Sequence, residues 1–484
     1  MHLPDVQRPL SLADRTVRDL GLALGKAGLD AGLLRKLARV GERLDDALRA
    51  PMRVWHARRM AEPGAVAVRL FLLHDAVSTD EAAAALGDLS PWRDAGLVED
   101  RDGGALASRF HLALAGDLFC FGDEIGLGGT SVMPLAGLTL DLARAAAPGK
   151  ERVGRVLDLG CGAGAVGLLL ARSAARVVAT DINPRAIAFA KFNAILNGVS
   201  NVETRLGDAF APCAGERFDR VVVQPPFVAH RPGYEPSVYV HGGERGDELA
   251  LRIASEIPVH LAEGGRAVVA ADWPLVDGET VEKRVRGALG AAPANVLVLQ
   301  SPSKNLDEYC VQLTAGEHPD LGPEFARAAI AHRSHLDLLG VTGMAVGFVV
   351  IEPRRSAGWT SRIDIRHLHD APVTPEAVDR ILAAQTLVHG EDALLCAAPL
   401  RLPDGARQVV QPLPEGPPSV IFHPPPGRPE WPVVLTGAEA QLVQRIALAP
   451  HALDPADRAA VDVARKALAK GVLDVDATFA RASG

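Results

Sequence analysis

The stretch RVLDLGCGAGAVGLLL, residues 155–170, decides the fold. A run of β-type apolar residues ends at Leu159, glycines follow at alternate positions (Gly160, Gly162, Gly164), and the apolar helical stretch VGLLLARSA comes next. Glycine lacks a Cβ, so such a turn lets the backbone approach a ligand closely. A buried strand that feeds a glycine-rich turn and then a helix is the opening unit of an α/β sheet with a ligand site at its strand ends. Asp158 lies near the strand end. Its carboxylate can hold the turn, or accept hydrogen bonds from a ligand amine directly or through water.

Outward from this unit, β-type runs alternate with helical stretches from 153 to about 352. The runs are RVLDL, RVVAT, VETRL, RVVVQ, RAVVAA, NVLVL, EYCVQL and MAVGFVVI, each expected as a strand. Alternation of this kind predicts a largely parallel, doubly wound sheet. Asp181 follows the second run, where a carboxylate can take both ribose hydroxyls of an adenosine. Gly207-Asp208-Ala209 follows the third, where a carboxylate can meet an adenine amino group. A nicotinamide dehydrogenase is the rival, because Gly162 to Gly167 matches GxGxxG literally and Asp181 would suit a ribose there too. That motif alone is weak. The strand ends about two residues early for it, and an acidic Asp158 inside the strand is foreign to a dinucleotide site.

The fourth run continues into Gln224-Pro225-Pro226-Phe227. Two prolines fix φ and remove two N–H donors, so the turn is rigid. The residue before a proline is forced extended, which aims its polar groups at a pocket. A side-chain oxygen at 224 and the Pro225 carbonyl can together accept two hydrogen bonds from an NH₂ group, directing its lone pair at a methyl sulfonium. Phe227 can stack on a planar substrate near the cationic donor. By itself QPPF also fits a strand-ending turn with Phe227 in the core. After a glycine loop, Asp181 and Asp208 in this chain order, the chemical reading prevails.

Together these residues resemble the class I S-adenosylmethionine-dependent methyltransferases with an (N/D)PP(Y/F) motif. That family includes release-factor glutamine methyltransferases and amino-group methyltransferases of ribosomal RNA. The resemblance covers roughly 125–315. It implies an α/β fold with a Rossmann-like, seven-stranded methyltransferase sheet, and S-adenosyl-L-methionine as cofactor. It places Asp158, Gly160, Gly162 and Gly164 at the donor site, Asp181 on the ribose, and Asp208 with Ala209 near adenine. It places Gln224, Pro225, Pro226 and Phe227 around the acceptor, as the catalytic set, with no metal. Position 224 departs from the family: Gln stands where Asn or Asp is usual, and its oxygen reaches about 1.5 Å farther.

Beyond QPPF, the loop VAHRPGYEPSVYVHGGERGDELALRI gathers His230, Tyr234, Tyr239 and His241, which are expected to bind substrate. Either histidine could act as a general base if the acceptor were a hydroxyl. Gly242, Gly243 and Gly246 lead to a helix near Asp247. Ser303-Lys304-Asn305 is expected in the loop before a final hairpin.

The flanks read differently. Residues 11–58 carry helical spacing, with Ser11 and Asp14 as candidate caps, and Gly126, Gly128 and Gly129 mark a loop before the helix SVMPLAGLTLDLARAA. Residues 68–114 read as three helices and a hairpin, a winged-helix-like order, with Ser78 or Thr79 capping, Trp92 and Leu97 on the third helix, and Asp102-Gly103-Gly104 as the turn. The expected domains are 1–116 (helical and winged-helix-like), 117–355 (methyltransferase) and 356–484 (a small C-terminal α+β region with helical patterns at 437–448 and 455–471).

A net charge of −8 argues against a chain that coats nucleic acid through bulk electrostatics. The five cysteines are scattered without zinc spacing, and no run is apolar enough for a membrane span, so a cytoplasmic protein is expected. The function expected is methyl transfer to an amine or amide nitrogen of an RNA, protein, peptide or small molecule. The alternatives are an O- or N-methyltransferase of a small-molecule or peptide natural product and, more distantly, an NAD-dependent oxidoreductase or an adenosine-binding regulator.

Overall fold

In the computed structural model the described residues are 3–42, 46–124, 129–135, 137–149, 152–233, 239–318, 321–412, 418–449, 453–476 and Phe479. Gly126, Gly128 and Tyr234 lie outside them.

The eight strands of the central sheet are numbered in chain order: β1 Val153–Leu159, β2 Ala174–Asp181, β3 Val202–Leu206, β4 Phe218–Val223, β5 Leu261–Val276, β6 Ala294–Gln300, β7 Val341–Pro353 and β8 Thr360–Asp364. Their order across the sheet is β8-β6-β7-β5-β4-β1-β2-β3. Only β7 runs antiparallel to its neighbours. The sheet therefore reverses its winding beside β1 and β4, whose C-terminal ends diverge into a crevice. Period-two alternation divides each strand between two cores. Leu157, Leu159, Val221 and Val223 face the helices Glu248–His260 and Val281–Leu289, whereas Val156, Val222 and Val268 face Gly137–Ala146 and Pro375–His389.

The structure corrects the sequence reading in several places. The sheet has eight strands, not seven. β8 pairs in parallel with β6 and is a short, partly exposed edge whose sequence, TSRID, carries a single large apolar residue. EYCVQL is a helix, Leu306–Glu317, not a strand. The Asn305 side chain caps it by accepting from the N–H groups of Asp307 and Glu308, and Leu306, Tyr309, Cys310 and Thr314 are buried at helical spacing. A second helix, Pro323–Leu338, follows, so a helical pair rather than a hairpin joins β6 to β7. Ser303-Lys304-Asn305 precedes that pair. Near the N-terminus neither Ser11 nor Asp14 is the N-cap of the helix Asp14–Lys26, which Ala13 provides; Ser11 instead closes the short helix Gln7–Leu10, its hydroxyl donating to the Arg8 carbonyl. The helix expected at 131–146 begins only at Gly137, and Leu97 lies beyond the helix Ser90–Asp94 that holds Trp92.

The N-terminal region packs on the sheet through the helix Pro184–Leu196. Its Phe189, Phe192 and Leu196 share one core with Leu20, Leu24, Phe71 and Trp92. A short strand, two helices and a hairpin form a three-stranded sheet there, with Ser78 and Glu81 making a reciprocal capping box. The hairpin Phe110–Ala115 and Leu118–Asp123 is clamped to the same helix. Asn193 accepts from the Phe121 N–H and donates to the carbonyls of Phe121 and Ala163. A separate C-terminal core, with Leu387, Phe422, Leu435, Val443 and Leu468, joins a three-stranded sheet to the helices Gly437–Leu448 and Arg458–Ala469.

Candidate active site

A cavity of about 330 Å³ opens at the C-terminal ends of β1, β2 and β4. Asp158, Gly160, Gly162, Asp181, Asp208, Ala209, Gln224, Pro225, Pro226 and Tyr239 line it, so expected donor-side and acceptor-side residues share one space.

The glycine turn is built from backbone bonds to carboxylates. Asp158, buried at the end of β1, accepts from the Gly167 N–H at 2.7 Å. Asp181 accepts from the Gly162 N–H at 2.9 Å and from the Asn183 N–H at 2.8 Å. The Cys161 N–H donates to the Thr180 carbonyl. β1 and β2 are thus tied together across the turn. Burial pushes the Asp158 carboxyl up to about 7; the Gly167 N–H pulls the other way and the neighbouring Asp181 charge adds to the rise. Burial also raises Asp181, opposed by the N–H groups of Asn183, Gly162 and Ile182. At Gly160 and Gly162 φ is +69° and +52°, and no protein atom lies within 4 Å of where a Cβ would stand. Both glycines therefore border open space.

Gly164 does something else. It does not line the cavity; at φ +86° it begins the helix Ala165–Leu170, and a Cβ there would stand 3.0 Å from Ala190. Its role is close packing of that helix against Pro184–Leu196. At the far wall, Asp208 is exposed and paired to Arg252 at 3.1 Å, a contact of small energetic worth in solvent. Ala209 sits at φ +43°, a conformation that non-glycine residues adopt at a cost and that clusters at functional sites.

On the acceptor side, Gln224 follows β4 directly, and its Oε1 accepts from the Thr139 hydroxyl at 3.0 Å. Thr139, on the helix Gly137–Ala146, also lines the cavity and belongs to none of the sequence motifs. Nothing in its local sequence distinguishes it from a core-facing threonine. Phe227 is placed away from the cavity, half-buried against the core that includes Phe218 and Ile253. The ring thus packs as a strand-ending turn would place it, and beyond it the chain bends to pair Val228–Ala229 with His241–Gly243. His230 and His241 meet each other instead, rings 5.0 Å apart and edge to face, and neither lines the cavity.

The loop after QPPF is fixed from several directions. Residues 242–246 pass so close over the turn that a Cβ on Gly242 would lie 2.4 Å from the Pro226 carbonyl oxygen, and one on Gly246 2.5 Å from that of Phe227. Those glycines allow the backbone to pack against the motif. Fully buried Asp247 pairs with Arg284 and Arg245. From the helical pair, His335 Nε2 lies 2.9 Å from the Glu244 carbonyl oxygen. Buried Arg231 donates to the Ala328 carbonyl and pairs with Glu317 at 2.8 Å.

The central part of the chain is similar to known proteins. Residues 144–272 match the methyltransferase small domain family. A release factor glutamine methyltransferase of Xylella fastidiosa is 36% identical over 130 residues, covering 25% of this chain and 47% of that protein. Another, of Cereibacter sphaeroides, is 37% identical over 159 residues, covering 30% and 56%. A ribosomal protein uL3 glutamine methyltransferase of Xanthomonas campestris is 31% identical over 127 residues, covering 24% and 41%. The chain thus spans about half the length of these curated relatives.

Proposed function

We propose that this chain, whose residues 144–272 form a class I methyltransferase domain of the (N/D)PP(Y/F) kind, transfers a methyl group from S-adenosyl-L-methionine to the side-chain amide nitrogen of a protein glutamine. One observation carries the reading: the QPPF turn and the Asp158–Asp181 glycine turn line the same cavity. The glutamine specified by the relatives' names supports the acceptor class.

The residues fit the donor. Gly160 and Gly162 leave space that a side chain would fill, and two carboxylates border it. Asp181 would hold the ribose hydroxyls. Asp158, beyond supporting the turn, would favour the donor's positive charge. The bound donor supplies a methyl group on a cationic sulfur, so the protein's own task is positioning. The Pro225 carbonyl and Gln224 Oε1 would accept hydrogen bonds from the acceptor NH₂, fixing the nitrogen lone pair along the transfer line. Tyr239 and the half-buried wall would exclude water. Asp208 and Ala209 would border the adenine. The hydroxyl-acceptor reading, with His230 or His241 as base, gains no support from two rings that face each other outside the cavity. The expected boundary at 355 cuts the sheet, since β8 belongs to it and the helix Pro375–His389 packs on it; region 1–116 and the C-terminal core of Phe422, Val443 and Leu468 would recruit the acceptor. Five free, buried cysteines support a cytoplasmic setting.

The test is to incubate the enzyme with methyl-tritiated donor and cell extract, then separate protein, RNA and small molecules. Label should enter protein and be released as methylamine on acid hydrolysis, as an N-methyl amide requires. Label confined to RNA or small molecules would reject the glutamine acceptor.

A further inference from the structure

We infer that Thr139 is a positioning residue for Gln224, and that the two side chains act as one unit in place of the short Asn or Asp usual at this position. The inference rests on the proposed amide acceptor for its kinetic consequence, but not for its structural one.

A glutamine at 224 carries one more rotatable bond than asparagine, so its amide can sweep a larger volume and lose the acceptor for part of the time. Something must hold it. The helix Gly137–Ala146 supplies the constraint. It is anchored on the sheet by buried Leu142, Ala143, Ala145 and Ala146. Thr139 lies three and four residues before Leu142 and Ala143, on the same helix face, which carries its hydroxyl over the end of β4. There the hydroxyl donates to Gln224 Oε1 at 3.0 Å, beside the cavity that both residues line. A carbonyl oxygen has two lone pairs, so one remains for the acceptor N–H. An asparagine would draw the oxygen back by about 1.5 Å, beyond hydrogen-bond range of Thr139. The longer side chain and the threonine thus belong together. The pair spans 85 residues of sequence.

The experiment is a double-mutant cycle on the full chain with Thr139→Val, Thr139→Ser, Gln224→Asn and the Thr139→Val/Gln224→Asn double variant. The first readout needs no acceptor: the side-chain amide signal of Gln224 in ¹⁵N-labelled protein, assigned by its loss in Gln224→Ala. Thr139→Val should shift it and Thr139→Ser should leave it near its wild-type position. The second readout is methyl transfer into the protein fraction of cell extract. Thr139→Val should lower kcat tenfold or more with the donor KM within twofold, and Thr139→Ser should restore most of the rate. In the Gln224→Asn background, Thr139→Val should cost nothing further. Calorimetry with S-adenosylhomocysteine should give the same affinity, within twofold, in all variants. An unmoved Gln224 signal in Thr139→Val, or losses that multiply in the double variant, overturns the pairing. A wild type that binds S-adenosylhomocysteine but labels no protein overturns the glutamine reading instead, and the amide signal still decides the pairing.

Discussion

The two halves of the cavity are built by different means. The proposed donor half centres on 155–183, where N–H groups of Gly162, Gly167 and Asn183 donate to Asp158 and Asp181, and is completed by Asp208 and Ala209. The acceptor half is assembled from distant segments: Thr139 reaches Gln224 across 85 residues, and Arg231 and His335 bind their partners across 97 and 91. A site made by covalent neighbours needs the same residue spacing wherever it occurs. A site made by distant packing can change partners while its motif stays recognisable.

This contrast can be broken by separating binding from turnover. The largest effect belongs to Gln224→Ala. Removing a positioned polar group at a reacting centre costs about 2–4 kcal/mol of transition-state stabilisation, so the transfer rate should fall roughly thirty- to a thousandfold. S-adenosylhomocysteine affinity, measured by calorimetry, should stay within twofold. A comparable loss of both would mean that the halves are not separable.

Asp181→Ala should do the reverse. Charge-assisted hydrogen bonds to ribose are worth about 1.5–3 kcal/mol, so affinity for S-adenosylhomocysteine should fall about ten- to a hundredfold. The rate at saturating donor should change little. Unaltered calorimetry would remove Asp181 from the donor half.

Asp158 sharpens the comparison through pH. Its carboxyl is raised by burial to about 7, above the ordinary 3.8, so between these values the folded protein keeps a proton that the unfolded chain has lost. The stability this gives is full below about pH 4 and is lost as pH rises through 7. A cationic donor favours the ionised form, so donor affinity should rise with pH, by up to about fivefold between pH 6 and 7. Asp158→Asn should flatten both profiles, read by urea denaturation and by calorimetry. A flat donor profile in the wild type would reject the charge interaction.

The smallest effect should come from Phe227→Leu. The ring is half-buried against the core and away from the cavity. A volume-reducing hydrophobic swap there should cost about 1 kcal/mol of stability by urea denaturation and change turnover less than threefold. A large loss of turnover with normal stability would return the ring to the acceptor.

Much of this molecule was legible in its sequence. Seven of the eight strands in the sheet were: six as buried apolar runs between helices, and β3 by its place in the alternation after the helix Pro184–Leu196. The exception, β8, is a short, partly exposed edge. EYCVQL misled because a short apolar run suits strand or helix alike, and the Asn305 cap and burial at helical spacing decide for helix. Thr139 carried no signal, since a threonine on a helix face resembles any other until something meets its hydroxyl.

By itself the sequence determined the strand–turn–helix unit, the carboxylates that brace it and the rigid QPPF turn. Each lies within about 25 residues of chain and one strand–helix–strand unit, where peptide geometry and side-chain periodicity leave few alternatives. Only the tertiary structure decided that Gln224 is held by Thr139, that Phe227 turns to the core, and that His335 and Arg231 fasten the loop after QPPF. Those contacts join segments tens of residues apart, and their geometry follows from how helices pack on the sheet, which no local pattern encodes.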